Sequence, residues 1–317
     1  MTNRDTINPL ISLILPVYNE ALSLPSFFAA VEEKLAGLKL ELLFVDDGSS
    51  DNTLEYLRHM AVQDDRIRVI KFSRNFGKEA GLTAGLEHCR GDVGIPVDVD
   101  LQDPLEVVHD FIEKWREGYD VVHGVRSDRS DDSHFKRISA NRYYTLFNIV
   151  SDLKMIPHSG DFRLLDRKAI EALKRLPERV RFMKGLFAWV GFRSAEVHYR
   201  RAKRTAGTSK FNATKLLRFG LDGFISFSSL PIRIWSIIGM LIAIPALAFM
   251  IFIIFKTIIL GVDVPGYASL VTIVLFLGGV QLITLGIIGE YVGRIFTEVK
   301  ARPVYIIEEE FGRTDNA

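Results

Sequence analysis

Cysteine is almost missing from this chain: Cys89 stands alone among 317 residues. One thiol excludes an internal disulfide and any zinc site built on several cysteines. Cys89 lies in a helical pattern and reads as a small core residue. The seven histidines show no metal-ligand spacing. Neither G-x-G-x-x-G nor G-x-x-x-x-G-K-[ST] occurs, so the glycine-rich cradles of dinucleotide and P-loop phosphate sites are not indicated. Net charge is nearly absent too, with 40 basic residues against 39 acidic ones. Bulk electrostatics therefore names no partner, and no nucleic acid is expected. The apolar stretch at 10–17 is too short for a signal peptide and carries Pro16.

Other absences are local. Residues 234–255 hold no charge over 22 positions, and residues 264–289 hold none over 26. A helix of about 20 apolar residues crosses a bilayer core, so both stretches qualify as spans. Pro245 would kink the first without breaking it. Gly278, Gly279, Gly286 and Gly289 in the second permit close helix approach, which is compatible with a homo-oligomer. Buried helices of a soluble protein are the alternative, and the length of both stretches counts against it. Only residues 256–263 separate them, so they read as a transmembrane hairpin within 233–290, with helices at about 234–255 and 267–289. Lys215, Arg218 and Arg233 precede the pair, Arg294, Lys300 and Arg302 follow it, and the connection has Lys256 alone. Positive-inside counting then puts residues 1–233, including a catalytic domain at 1–210, the tail at 291–317 and both termini in the cytoplasm, on a multi-pass inner-membrane anchor.

Acid is missing from residues 197–221, which contain seven Lys or Arg. Arg200, Arg201 and Lys203 there suit either an anionic ligand or acidic lipid headgroups. Within 211–232, Lys215, Arg218 and Asp222 share one helical stripe, while Leu216, Leu217, Leu221, Phe224 and Ile225 occupy the other side. That pattern fits a helix in the membrane interface, with a core helix of the soluble part as the alternative.

What is present reads as alternating strand and helix. Apolar β-rich runs recur at 11–17, 40–45, 67–72, 93–97 and 119–125, and helical patterns fall between them at 22–38, 52–63, 78–89 and 105–117. Continuous apolar strands separated by amphipathic helices predict a mostly parallel α/β sheet covered on both faces. Ligands of such sheets bind beyond the carboxyl ends of the strands. PVYNE follows the first strand, DDGSSD the second and DVDLQDP the fourth. Asp51 and Ser50 suit helix caps. Capping does not explain carboxylates converging from three strands on one edge. Asp98 and Asp100 lie two apart, with Gln102 two further on. These hard oxygen donors suit Mg²⁺ or Mn²⁺ and a diphosphate on the ion's far side.

Those segments resemble glycosyltransferase family 2, through LPVYNE (15–20), VDDGSSD (45–51), SRNFGKEAGLTAG (73–85) and DVDLQDP (98–104). The likeness continues through GDFRLLDR (160–167), RFMKGLFAWVG (181–191), RTAGTSK (204–210) and the ending GEYVGRIFTEVKARPVY (289–305). It covers nearly the whole chain and is nearest to the polyprenyl-phosphate glycosyltransferases. The resemblance implies a Rossmann-like GT-A fold and a nucleotide-sugar donor. It implies a donor pocket of Pro16, Tyr18, Glu20, Val45, Asp47, Asp98, Val99 and Asp100, with the metal on Asp98, Asp100 and Gln102. Val99 replaces an alanine common there. Arg126, Arg204, Ser209 and Lys210 match positions that face acceptor phosphate or diphosphate. The processive-synthase motif Q-x-x-R-W is absent, which argues against polymer synthesis.

The acceptor decides whether the chemistry needs a base. A sugar hydroxyl must lose a proton, whereas a lipid monophosphate, with a second pKa of about 6, is already an anionic nucleophile. Asp161 occupies a position proposed as base in related enzymes; with a phosphate acceptor it would instead orient a basic neighbour such as Arg163. The expectation is inverting transfer of glucose from UDP-glucose to undecaprenyl phosphate, with catalysis on Asp98, Asp100 and Asp161. An aminoarabinose derivative or mannose are the alternative sugars. A non-catalytic membrane adaptor would be marked by loss of Asp98, Asp100 or Gln102, and all three are present.

Overall fold

The computed structural model describes residues 7–127, 156, 159–179, 181–201 and 266–312, with scattered helical positions between 238 and 259. The chain forms two compact units, Met1–Gly223 with Pro303–Ala317, and Phe224–Arg302.

In the first unit the nine expected elements occur in order. They are β1 (Ile11–Val17), α1 (Leu24–Lys34), β2 (Leu40–Asp46), α2 (Thr53–Gln63), β3 (Ile67–Phe72), α3 (Lys78–His88), β4 (Val93–Pro96), α4 (Val107–Arg116) and β5 (Val121–Arg126). Helix α1 stops short of the expected residue 38, because Gly37 turns the chain at a φ of +82° that glycine alone adopts without strain. Four further elements follow: β6 (Ser159–Asp166), α5 (Arg167–Lys174), α6 (Met183–Trp189) and β7 (Ser194–Tyr199). A final strand, β8 (Ile307–Gly312), comes from the end of the chain.

The strands form one sheet in the order β7-β5-β6-β4-β1-β2-β3-β8. The pairs β1–β2, β1–β4, β2–β3 and β5–β7 are parallel. Strand β6 runs antiparallel to both β4 and β5, and β8 antiparallel to β3. The sheet is therefore mixed, of Rossmann type. Phe27 and Phe28 of α1 pack on Phe44 of β2, with ring centroids 6.2 and 5.5 Å apart. Helix α3 approaches β1 closely, because Gly81 and Gly85 face Pro16 and Ile14, and a Cβ at Gly85 would collide with the Ile14 side chain. That approach sets the start of α3 over the carboxyl edge of the sheet.

The tail returns to this unit. Arg68 is 6% exposed, and its guanidinium lies 2.5 Å from Glu41 and 2.6 Å from Glu310 of β8. Tyr305 stacks on Phe72 with centroids 5.0 Å apart. Residues expected only as a cytoplasmic tail thus supply an edge strand.

In the second unit α7 (Tyr267–Lys300) is a 34-residue helix. Its segment Phe276–Lys300 is long and apolar enough to cross a membrane, with a mean hydropathy of 1.4. The helix begins where the second span was expected and continues past residue 289 to Lys300. The described positions between 238 and 259 are helical, with Met240, Leu241, Ile244, Phe249 and Phe252 exposed. Of the expected connection, Lys256, Ile258 and Ile259 are helical and exposed, while residues 260–263, the interfacial helix at 211–232, and Arg204, Ser209 and Lys210 lie outside the described residues.

Arg68→Met would leave the Glu41 carboxylate buried without its cation. Breaking a buried pair by removing one partner costs about 3–5 kcal/mol. Denaturant unfolding of the full chain in detergent is expected to show a loss of that order.

Candidate active site

The carboxyl ends of β1, β2, β4 and β5 share one edge with the start of β6. After β1, Asn19 takes a φ of +53°, and its backbone N–H donates to Ser49 Oγ at 2.9 Å. Its Oδ1 accepts the Ser50 N–H at 2.8 Å. The Glu20 N–H donates to Thr53 Oγ1 at 2.9 Å, while its carboxylate accepts from Ser23 Oγ at 2.8 Å. The loops after β1 and β2 are thereby fastened together. Tyr18 is 37% exposed beside them, Pro16 is partly buried against Gly81, and Val45 is fully buried.

Asp47 is buried, and both its oxygens are engaged. The Phe76 N–H donates to Oδ1 at 2.6 Å and the Gly77 N–H to Oδ2 at 2.9 Å. Burial pushes this carboxyl up, and those two hydrogen bonds oppose the shift. Gly48, at a φ of +70°, lets the 74–77 loop lie close: a Cβ there would stand 2.7 Å from the Arg74 carbonyl carbon. Asp47 thus fixes the loop that opens α3.

The three aspartates of DVDLQDP have different surroundings. The Lys78 ammonium is 2.7 Å from Asp98 Oδ1 and 3.1 Å from Asp161 Oδ2. Asp100 is nearly buried and accepts the Gln102 N–H at 3.2 Å, next to Leu101 at a φ of +56°. Asp103 is buried and accepts from the Tyr199 hydroxyl at 2.5 Å. Arg126 donates to that hydroxyl at 3.4 Å and lies 3.7 Å from Asp103. Asp103 therefore anchors Arg126, and Val99 is buried beneath the turn.

Asp161 opens β6 on the same edge. Its Oδ1 is buried without a hydrogen-bond partner among the described residues. Burial would raise this carboxyl, but Lys78 and Lys184 outweigh burial and hold it well below the usual carboxylate range. Beside it lies Glu79, to which the sequence reading assigned no role. Burial, then the Asp161 charge, push Glu79 up to about 7, while the Met183 N–H donates to it at 2.9 Å. Lys78 and Glu79 both sit within SRNFGKEAGLTAG, and their position at the start of a strand-end helix was the available signal.

The donor set suits a divalent cation. Asp98, Asp100 and Gln102 offer hard oxygens on one turn, and a lysine ammonium already rests on Asp98. Among the described residues no group of three His, Cys, Asp or Glu side chains could hold a metal. Two carboxylates suit an ion that takes its remaining ligands from water and a substrate diphosphate.

A mixed Rossmann-type sheet with carboxylates gathered at its strand ends defines a GT-A-like enzyme domain. The family described as glycosyl transferase family 2 matches residues 12–174. The chain belongs to this family and is a glycosyltransferase. It is 48% identical over 304 residues to an uncharacterized glycosyltransferase of Synechocystis sp., covering 95% of this chain and 96% of that one. It is 48% identical over 301 residues to the bactoprenol glucosyl transferase of Shigella phage SfII, covering 94% and 97% respectively. A mannosyltransferase from Pyrobaculum calidifontis, solved with GDP-mannose and Mn²⁺, aligns at a TM-score of 0.44 and 17% identity, over 65% of this chain and 60% of that one.

Glu79 gives a pH signature. Its carboxyl moves from 4.5 to about 7 on folding, so its stabilising contribution is complete below 4.5 and is lost as pH rises through about 7. Thermal unfolding between about pH 4.5 and 8.5 is expected to show this decline in the wild type and a flatter profile in Glu79→Gln.

Proposed function

We propose that this enzyme moves glucose from UDP-glucose to undecaprenyl phosphate at the cytoplasmic face of the inner membrane, releasing UDP and a polyprenyl-phosphate sugar with inverted configuration. The observation that carries the acceptor class is the Lys78 ammonium 3.1 Å from the Asp161 carboxylate. A carboxylate held ionised by two lysines is a poor proton acceptor, and a phosphate monoester needs none. The near full-length similarity to a bactoprenol glucosyl transferase supports glucose and the lipid acceptor. The apolar segment Phe276–Lys300 supports the membrane setting.

Asp98, Asp100 and Gln102 would hold Mg²⁺ or Mn²⁺, which when bound supplies Lewis-acid stabilisation to the departing diphosphate. Pro16, Tyr18, Glu20, Val45 and Val99 form the donor wall, whose two loops are locked by Asn19 and Thr53. Asp47 serves that wall through the 76–77 backbone. Arg126, oriented by Asp103 and Tyr199, faces phosphate together with Arg204, Ser209 and Lys210. Asp161 keeps Lys78 at the junction of donor and acceptor sides.

A panel of UDP- and GDP-sugars offered with undecaprenyl phosphate, with products separated by mass, tests the assignment. UDP-glucose is expected to give the lipid-phosphate hexose; turnover with another sugar alone would reassign the donor. Asp100→Asn and EDTA treatment are each expected to cut kcat by about 10²-fold or more, as loss of transition-state charge stabilisation does. Asp161→Asn separates its two roles. An orienting residue loses about ten-fold with an unchanged pH profile, whereas a base loses 10²–10⁴-fold with partial recovery at higher pH.

A further inference from the structure

A cavity of about 310 Å³ lies between β5, β6 and α6, and the reaction described above leaves it unused. His123, Ser159, Arg163, Lys184, Phe187 and Ala188 line it. Side chains alternate along a strand, so Ser159, Asp161 and Arg163 share one face of β6, while Phe162 packs on Phe111 of α4 at 4.8 Å from the other. Lys184, which lines the cavity, is also one of the cations beside Asp161.

The lining is rich in hydrogen-bond donors. Arg163 is 3% exposed, lies 4.1 Å over the Phe187 ring, and its Nη2 donates to the Gly160 carbonyl at 2.5 Å and to Ser159 Oγ at 3.3 Å. The Lys184 charge reaches both Asp161 and Glu79. His123 is 7% exposed, and its Nδ1 is buried with no hydrogen-bond partner among the described residues. Burial, then the Arg163 charge, push this imidazole down to about 3, so it is neutral and offers one N–H. No Asp or Glu is among the lining residues described. The rim at Gly191 and Ser194 is exposed, which leaves a way in from solvent.

Two cations, an imidazole and a hydroxyl in the wall favour an anion, and Val121, Ile156 and Phe192 supply an apolar part beside them. A liquid water takes about 30 Å³, so the space holds a tetrahedral oxyanion with room for its ester substituent. Planar guanidinium forks match phosphate oxygens, and charge-assisted bonds of this kind are the strong ones.

We propose that this cavity is a binding site for a phosphate monoester dianion, supplied either by the lipid acceptor's headgroup or by free inorganic phosphate. The lipid source rests on the proposed function, whereas the anion chemistry stands without it. Two variants probe it in the full chain in detergent. Lys184→Met removes a charge, and Ala188→Leu fills the space without changing charge.

Inorganic phosphate, titrated at constant ionic strength, is expected to raise the wild-type unfolding midpoint and to broaden its own ³¹P resonance. Its affinity is expected to fall about ten-fold or more in either variant, the scale of one lost charge-assisted contact. If the lipid headgroup is the source, KM for the polyprenyl phosphate rises in Ala188→Leu, KM for the donor stays put in that variant, and phosphate competes with the lipid. If free phosphate is the source, its affinity still falls in both variants while the lipid KM of Ala188→Leu does not move. Phosphate binding lost in the variants, with no lipid product from the wild type, upholds the site and removes the proposed acceptor. A wild type that binds no phosphate, or wild-type affinity in both variants, overturns the site.

Discussion

The Lys78 ammonium, held between Asp98 and Asp161, is the contact on which the arrangement of this site depends. A sheet that brings Asp98, Asp100 and Asp161 to one edge must offset their mutual repulsion. Lys78 can do this because α3 lies almost against β1. That closeness comes from Gly81 and Gly85, which present no Cβ to Pro16 and Ile14. The backbone of SRNFGKEAGLTAG thus brings a cation to DVDLQDP.

The aspartates divide between holding structure and facing ligand. Asp47 and Asp103 are buried and hydrogen-bonded, one to the backbone of the 76–77 loop and the other to Tyr199. Their oxygens are occupied in positioning other groups. Asp98 remains 38% exposed, which is what a ligand of an exchangeable cation requires. Sequence proximity makes all the acids of the turn look alike, and their partners make them different.

Much of the fold was legible. Strands β1 to β5 and helices α1 to α4 announce themselves because strands buried on both faces are continuously apolar and the intervening helices keep one polar side. Strands β6, β7 and β8 were not legible. In β6 the apolar Phe162, Leu164 and Leu165 are interrupted by Asp161 and Arg163, and β7 is mostly exposed on one face. Strand β8 reads as three consecutive glutamates, and its pairing with β3 rests on cations far away in sequence: Arg58, Arg68 and Lys71. An edge strand stabilised by cross-strand ion pairs leaves no hydrophobic period behind it.

The candidate site divides along the same line. The sequence by itself determined the alternating α/β order, the gathering of acids at strand ends and the two uncharged stretches, since each follows from local periodicity or composition. Only the tertiary structure decided that Lys78 pairs with both Asp98 and Asp161, that Glu79 is driven towards neutrality, that Asp103 serves Arg126, and that a donor-lined cavity forms between β5, β6 and α6. Those outcomes depend on which side chains from separate strands meet away from water. Burial and distance, which set the strength of charge interactions, are properties of the assembled sheet and not of any one segment.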